Sequence, residues 1–396
     1  MKILLLSNAG RGGARYVFDT LSSNLPHEGN LIKVLSPEAY NAALLNQIKS
    51  KSITIIEKAL TKPKFGIFSS FSNSYSILND IEEFSPDIVH IHNWFNFLSL
   101  KDLKKIVGNY PTVFTLHDQR LLTGGCHVTL GCNNYLDDCT NCPGVYCGKK
   151  IVKRSKSKIN RIIYSKKETI GFISPSIWMH KKVQKVYKNE DNILYAQIPN
   201  PIFTTDLFRP KYKTIVKELN VIFIAANIDE PLKQLNLLIL KLENYFKVRK
   251  EIICNLTIIG SGRRRDSNII NINSTGKLKQ QEVMSLLVQS DILIVPSLFE
   301  NQPGVILEAM QIGTLVAASN VGGIGEMILD GVTGYLLDPI KLDVTSVLDT
   351  IINASSEELN NIAVRARTQV SVDHKIDKII DSHLNFYRKL YLKKKT

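Results

Sequence analysis

The sequence predicts an α/β protein of two doubly wound domains, each a parallel sheet covered by helices. Three observations carry that prediction. Short, apolar, β-branched runs alternate with longer segments able to hold helices through the first half of the chain. The same rhythm restarts at residue 220. Between the halves lies IPNPIFTTDLFRP, 198–210, with three prolines, several turn formers and no strong periodicity. Strands that are apolar along their whole length are buried on both faces, which is the condition inside a parallel sheet.

In order, the first half offers KILLLS (2–7), LIKVLS (31–36), DIVHIHN (87–93), TVFTLHD (112–118) and TIGFISPS (169–176) as strands. The serine-rich SSFSNSYS, 69–76, reads as a loop. The second half offers NVIFIAAN (220–227), NLTIIGSG (255–262), DILIVPS (291–297), TLVAAS (314–319) and GYLLD (334–338). Near the end, Ile376, Ile379, Ile380, Leu384, Tyr387 and Tyr391 have the spacing of an amphipathic helix over 375–392. The expected domains are 1–199 together with the terminal segment 375–396, and 200–374. No repeat of solenoid length is present.

The totals agree with this division. The chain has 396 residues, enough for about two domains, and 44% hydrophobic against 22% charged residues is a soluble globular balance. No apolar run approaches the roughly 20 residues of a membrane span. MKILLLSNAG is too short in its apolar part for a signal peptide, so a cytoplasmic location is the expectation. The formal net charge is +14. Part of it is concentrated in KKIVKRSKSKINRIIYSKK, 149–167, with nine Lys/Arg and no acid, and in RKLYLKKK, 388–395, with five more. Such a block is a solvated face, an anionic-membrane surface or a nucleic-acid contact. The interleaved Ile151, Val152, Ile159, Ile162 and Ile163 suit a helix lying on the inner face of the membrane.

The stretch FENQPGVILEAM, 299–310, places Glu300 and Glu308 on either side of a Pro-Gly step. Read as the first helical residue, Pro303 ends the loop LFEN and starts the helix VILEAMQ, with Gly313 closing it. Glu300 then lies in the loop at the carboxyl end of a strand, where open α/β sheets bind ligands. Glu308 lies over one turn into the helix. The N–H groups of Gly304 and Val305 offer an anion cradle. Two carboxylates accept hydroxyl hydrogen bonds, and phosphate suits the helix start, so a phosphate bearing sugars fits. By spacing alone, an exposed loop glutamate and a helix glutamate in a cap or ion pair fit too. Elsewhere, RGGAR (11–15) follows the first strand, and Gly12 and Gly13 permit close backbone approach to a phosphate. His117 and Asp118 end the strand 112–118. Lys233 opens a helix after strand 220–227, a position unfavourable for a cation unless an anion binds there.

Taken together, E-N-Q-P-G-V-x-L-E-A-M, then G-T-L-V-A-A-S-N-V-G-G-I-G-E and G-V-T-G-Y-L, resemble the retaining glycosyltransferases of family 4. The resemblance covers almost the whole chain in order, and the block 297–334 is its specific part. It implies the GT-B architecture: two facing Rossmann-like domains, the second holding a UDP- or GDP-sugar donor, and a final helix packed on the first. Carried over position by position, it implies that Glu300 bonds the donor sugar, Glu308 the ribose, and the backbone of Asn301, Gln302, Pro303, Gly304 and Val305 meets the diphosphate. Lys233 matches the phosphate-neutralising lysine, His117 the sugar-side histidine, and Gly12 and Gly13 the glycine loop. The family arginine six residues before the lysine is here Asn227, for which Arg263 or Arg264 could substitute. With Lys233 and helix N-termini to stabilise the departing diphosphate, and no Asp-x-Asp sequence, no divalent metal is needed for transfer. The expected reaction moves a hexose to a glycan or polyprenyl-diphosphate-linked acceptor in O-antigen, capsule or exopolysaccharide synthesis. A nucleotide-sugar 2-epimerase and a zinc-containing nucleic-acid-binding protein are the alternatives. The basic block argues against the first and the 297–334 block against the second, so no nucleic-acid partner is expected.

GGCHVTLGCNNYLDDCTNCPGVYC, 124–147, gathers five of the six cysteines. Cys139-x-x-Cys142 is a metal-type pair that Cys126 and Cys132 can complete, with His127 and Cys147 as spares. Structural zinc, disulfides and free thiols are the three readings. Following HD and TGGCH, the segment resembles the Cys-rich insertion of a subset of bacterial polysaccharide glycosyltransferases.

Overall fold

The computed structural model describes residues 1–8, 13–25, 29–37, 55–56, 58–63, 77–165, 168–188, 190–202, 207–208, 212 and 217–395. Gly12, the loop 69–76, parts of 198–210 and Lys166–Lys167 lie outside them. The chain divides into two compact units, Met1–Pro199 with Asp377–Thr396, and Asn200–Ile376.

The first unit holds a six-stranded parallel sheet: β1 (Lys2–Ser7), β2 (Leu31–Leu35), β3 (Ile88–Asn93), β4 (Thr112–Thr115), β5 (Ile170–Ser174) and β6 (Ile193–Gln197), in spatial order β2-β1-β3-β4-β5-β6. The second holds β7 (Glu218–Asn227), β8 (Ile253–Ser261), β9 (Asn271–Gly276), β10 (Ile292–Val295), β11 (Leu315–Ser319) and β12 (Tyr335–Leu337), in order β12-β11-β10-β7-β8-β9. Read from the other edge, the second is the doubly wound 3-2-1-4-5-6 order of dinucleotide-binding sheets. Its strand order reverses between β7 and β10. In the first sheet the reversal falls between β1 and β3.

Central strands are buried along their length, as Ile292–Val295 and Ile170–Ser174 show. The periodicity missed β6 and β9, each at a sheet edge. β9, NINSTG, is polar and partly exposed throughout, so nothing in it alternates or runs apolar. Helices begin where capping chemistry allows. Ser99 and Asp102 form a capping box for Leu100–Asn109, Ser176 caps Ile177–Val186, and Ser355 with Glu358 caps Ser356–Asp373.

The terminal helix, Ile376–Lys395, belongs from Asp377 onward to the first unit. Its Tyr387 is fully buried and its hydroxyl lies 2.7 Å from His90 Nδ1 in β3. A Cβ on Gly171 of β5 would come within 2.7 Å of the Phe386 ring, so only glycine admits the helix this closely.

The basic segment forms the helix Lys149–Ile163, but not as an interfacial helix. Val152, Ile159, Ile162 and Ile163 are buried in the core of the first unit. Its apolar face is spent on folding, which leaves an exposed strip of Lys149, Lys150, Lys153, Arg154, Lys158 and Arg161. Among the described residues, no helix is long and apolar enough to cross a membrane.

Candidate active site

In the second unit the candidate residues converge at the reversal of the sheet. β7 leads to a 3-10 turn, Pro231–Lys233, and Lys233 is its last residue, not the opening of the helix Leu235–Val248. Gln234, at φ +52°, separates turn from helix, so the lysine stands clear of the helix start. Leu298 donates its backbone N–H to the Leu232 carbonyl at 2.8 Å, which pins the loop after β10 against this turn. Across that junction Lys233 Nζ meets Glu300 Oε1 at 2.5 Å, and Ser297 Oγ donates to the same oxygen at 2.8 Å. Burial alone would lower the Lys233 pKa, but the Glu300 carboxylate outweighs it, and the net shift is upward. The lysine is therefore a held cation.

The helix runs Gly304–Ile312, with Pro303 as its N-cap and not its first residue. The ring fixes φ at −72°, but ψ of 121° is extended, so the helix begins one position later than expected. The first backbone bond into the helix is Ile306 N–H to Pro303 O, 3.2 Å, and the N–H groups of Gly304 and Val305 stand ahead of it. Glu308 curls back toward this end: its Oε1 would lie 3.9 Å from a Cβ placed on Gly304. Burial pushes its carboxyl upward, and Gln280 Nε2 donates to it at 2.8 Å. Asn301 is buried, and Gln302 Oε1 accepts the Asn200 N–H at 2.6 Å. A held cation, two carboxylates and a helix N-terminus can together bind a diphosphate flanked by hydroxyl-bearing groups.

In the first unit Gly13 opens the helix Gly13–Asn24 after β1, and among the described residues nothing lies within 4 Å of the place its Cβ would take. Gly12 lies outside the described residues. His117 sits two residues beyond β4, which ends at Thr115, and not in the strand. Its Nε2 lies 3.1 Å from His92 Nδ1 at the end of β3. Burial pushes the His117 pKa down to about 4 against a smaller upward pull from Asp118, so its ring is neutral near pH 7. Asp118 is drawn to Arg120, whose side chain and backbone N–H both donate to it.

Comparison with known proteins fits both halves. Residues 11–192 match the family described as Glycosyltransferase Family 4, and residues 219–356 match Glycosyl transferases group 1. The chain is a glycosyltransferase of the GT-B fold. N-acetyl-alpha-D-glucosaminyl L-malate synthase of Bacillus anthracis is 27% identical over 312 residues, 76% of this chain and 74% of that protein. Sucrose-phosphate synthase of Thermosynechococcus elongatus superposes with a TM-score of 0.67 at 14% identity, over 99% of both chains. HepE of Anabaena, solved with UDP and glucose, superposes at 0.61 and 16% identity, over 98% of this chain and 100% of that one.

Sequence reading of the glycosyltransferase missed three supports of its site. Gly322, at φ +57°, packs against the Glu300 loop: a Cβ there would lie 1.8 Å from the Glu300 carbonyl oxygen, to which Gly323 N–H also donates. The pair Gly-Gly in NVGGIG was its only signal. His92 contacts His117, a pairing visible only once β3 and β4 are adjacent. Arg265, not Arg263 or Arg264, is the arginine drawn into the β7–β8 end. It pairs with Asp229 at 2.7 Å and Asn236 at 2.9 Å, while the side chains of Arg263 and Arg264 are exposed. Asn227 Oδ1 accepts the Asp229 N–H at 3.1 Å, so it serves the turn.

Proposed function

We propose that this glycosyltransferase moves a hexose, with retention of configuration, from a UDP- or GDP-sugar to a lipid-linked glycan acceptor in bacterial cell-surface polysaccharide synthesis. The observation that carries the reading is the Lys233–Glu300 contact of 2.5 Å, at the reversal of a nucleotide-binding type of sheet and beside a helix N-terminus. The binding of UDP and glucose by HepE supports the donor class.

In this reading the diphosphate takes the N–H groups of Gly304 and Val305 and the Lys233 ammonium. Charge that develops on the leaving oxygen meets donors already in place. Glu300 exchanges part of its bond to Lys233 for sugar hydroxyls, and Glu308 accepts from the ribose. The acceptor hydroxyl attacks the anomeric carbon on the face the diphosphate leaves, and its proton passes to the departing phosphate oxygen. With its pKa lowered to about 4, His117 is a weak base, and its neutral ring suits a hydrogen bond to a sugar hydroxyl better than proton removal. The exposed basic strip of Lys149–Ile163 is the surface we assign to anionic lipid; its role is electrostatic, since its apolar side is buried. Incubation with a panel of UDP- and GDP-sugars, with and without a polyprenyl-diphosphate glycan, tests the reading. Nucleotide release that depends on one sugar and on the acceptor is expected. Release from none of the panel, with intact folded protein, would overturn it.

A further inference from the structure

The transfer reading leaves the cysteines of 124–147 unused. Cys126, Cys132, Cys139 and Cys142 line one cavity of about 190 Å³, with Tyr135 and Pro143 beside them. Cys126, Cys139 and Cys142 are buried, and all six cysteines are free thiols. The only helix or strand in 124–147 is the turn Asn134–Leu136, so no extended backbone ladder holds this loop. Three of its residues nevertheless keep left-handed backbone without being glycine: Leu130 at φ +44°, Cys139 at φ +59° and Asn141 at φ +54°. Each such position costs roughly 1–2 kcal/mol and persists where its surroundings over-determine it.

Lys149 lies near Cys142, and the fully buried Lys156 lies near Cys139 while donating to the Leu122 carbonyl at 2.8 Å. A buried ammonium bonded to a carbonyl gains from a nearby anion. Cys147 is directed elsewhere, to the Leu60 carbonyl at 3.1 Å.

We propose that Cys126, Cys132, Cys139 and Cys142 form a tetrahedral site for a thiophilic divalent cation, Zn²⁺, that fixes this loop. Cys139 and Cys142 supply the Cys-x-x-Cys chelate, and the other two complete four-thiolate coordination. Among the described residues, no group of three or more His, Cys, Asp or Glu side chains already stands in position to hold a metal ion. Closure therefore requires rotation of side chains that line a common cavity. Four S–H bonds break, four protons leave to solvent and four S–Zn bonds form. The resulting site has a net charge of −2, offset by Lys149 and Lys156.

The test uses the full chain, purified without chelator, and measures metal content and thiol reactivity together. About one zinc per chain is expected, with four thiols slow to react until a chelator is added. Cobalt(II) added to the metal-free, reduced protein should give the intense absorption of tetrahedral thiolate coordination. Cys142→Ser should lose most of the zinc, and Cys147→Ser and Cys254→Ser should keep it. Since Cys142→Ser could fail to fold, the wild-type cobalt spectrum is the deciding measurement. Absence of both zinc and the cobalt spectrum would overturn the site, as would iron with acid-labile sulfide in place of zinc.

Discussion

The two units use one layout for opposite electrostatic ends. Each sheet reverses its strand order, and each collects polar side chains at the carboxyl ends beside the reversal. In the second unit those side chains are charged and paired: Lys233 on Glu300, with Glu308 beside the helix start. In the first they are buried histidines, His90, His92 and His117, with His383 behind them, and burial lowers the pKa of all four. His90 is held by Tyr387 and Thr115, each at 2.7 Å, while His92 Nε2 has no partner among the described residues. The fold sets where ligands approach. The side chains there decide whether the place holds charge or stays neutral.

The largest effect should come from breaking the charged pair. Lys233→Ala and Glu300→Gln are each expected to lower kcat by about 10²–10³-fold with an unchanged fold, the scale seen when one transition-state donor is removed. Steady-state kinetics with circular dichroism checks this, and near-wild-type activity in both variants would dissolve the contrast between the units. Next is Gly322→Ala. Left-handed backbone costs alanine roughly 1–2 kcal/mol, before the contact with the Glu300 carbonyl displaces the loop. A fall in melting temperature and a loss of activity of at least about tenfold are expected together.

The neutral cluster makes the third prediction. The folded-state pKa of His117 and of His383 is lowered to about 4, against 6.5 unperturbed. The unfolded chain therefore binds protons that the folded one refuses between those values. Their contribution to stability is complete above about pH 6.5 and is lost as pH falls toward 4. Melting temperatures across that range should fall with acid, and His383→Gln should flatten the curve. An unchanged slope would show that the histidines are not the cause. The smallest effect is expected of Glu308→Gln, which keeps the shape and loses a charged acceptor. The KM for donor should rise by about tenfold or less, with kcat nearly intact.

Much of this was legible in the sequence. Ten strands announced themselves because central parallel strands are apolar on both faces, and the terminal helix did so through its 3.6-residue spacing. Glu300, Glu308 and Lys233 stood out as polar residues at strand ends. Of the four edge strands β2 and β12 gave a signal and β6 and β9 did not; NINSTG is polar and exposed or half-buried along its whole length, so it neither alternates nor runs apolar. The segment Lys149–Ile163 misled for a different reason. An amphipathic helix has the same pattern whether its apolar face meets lipid or a protein core, and only the neighbours decide.

By itself the sequence determined two α/β domains, their break near residue 200, and the step at Pro303 that separates Glu300 from Glu308. Tertiary structure alone decided the partners. Lys233 and Glu300 are 67 residues apart and meet because β7 and β10 are neighbours in the sheet. His92 and His117 meet because β3 pairs with β4. Gly322 must be glycine because the Glu300 carbonyl occupies the place of its side chain. Local periodicity records which face of a strand is buried. It does not record which strand lies alongside, and every one of these contacts is made across strands.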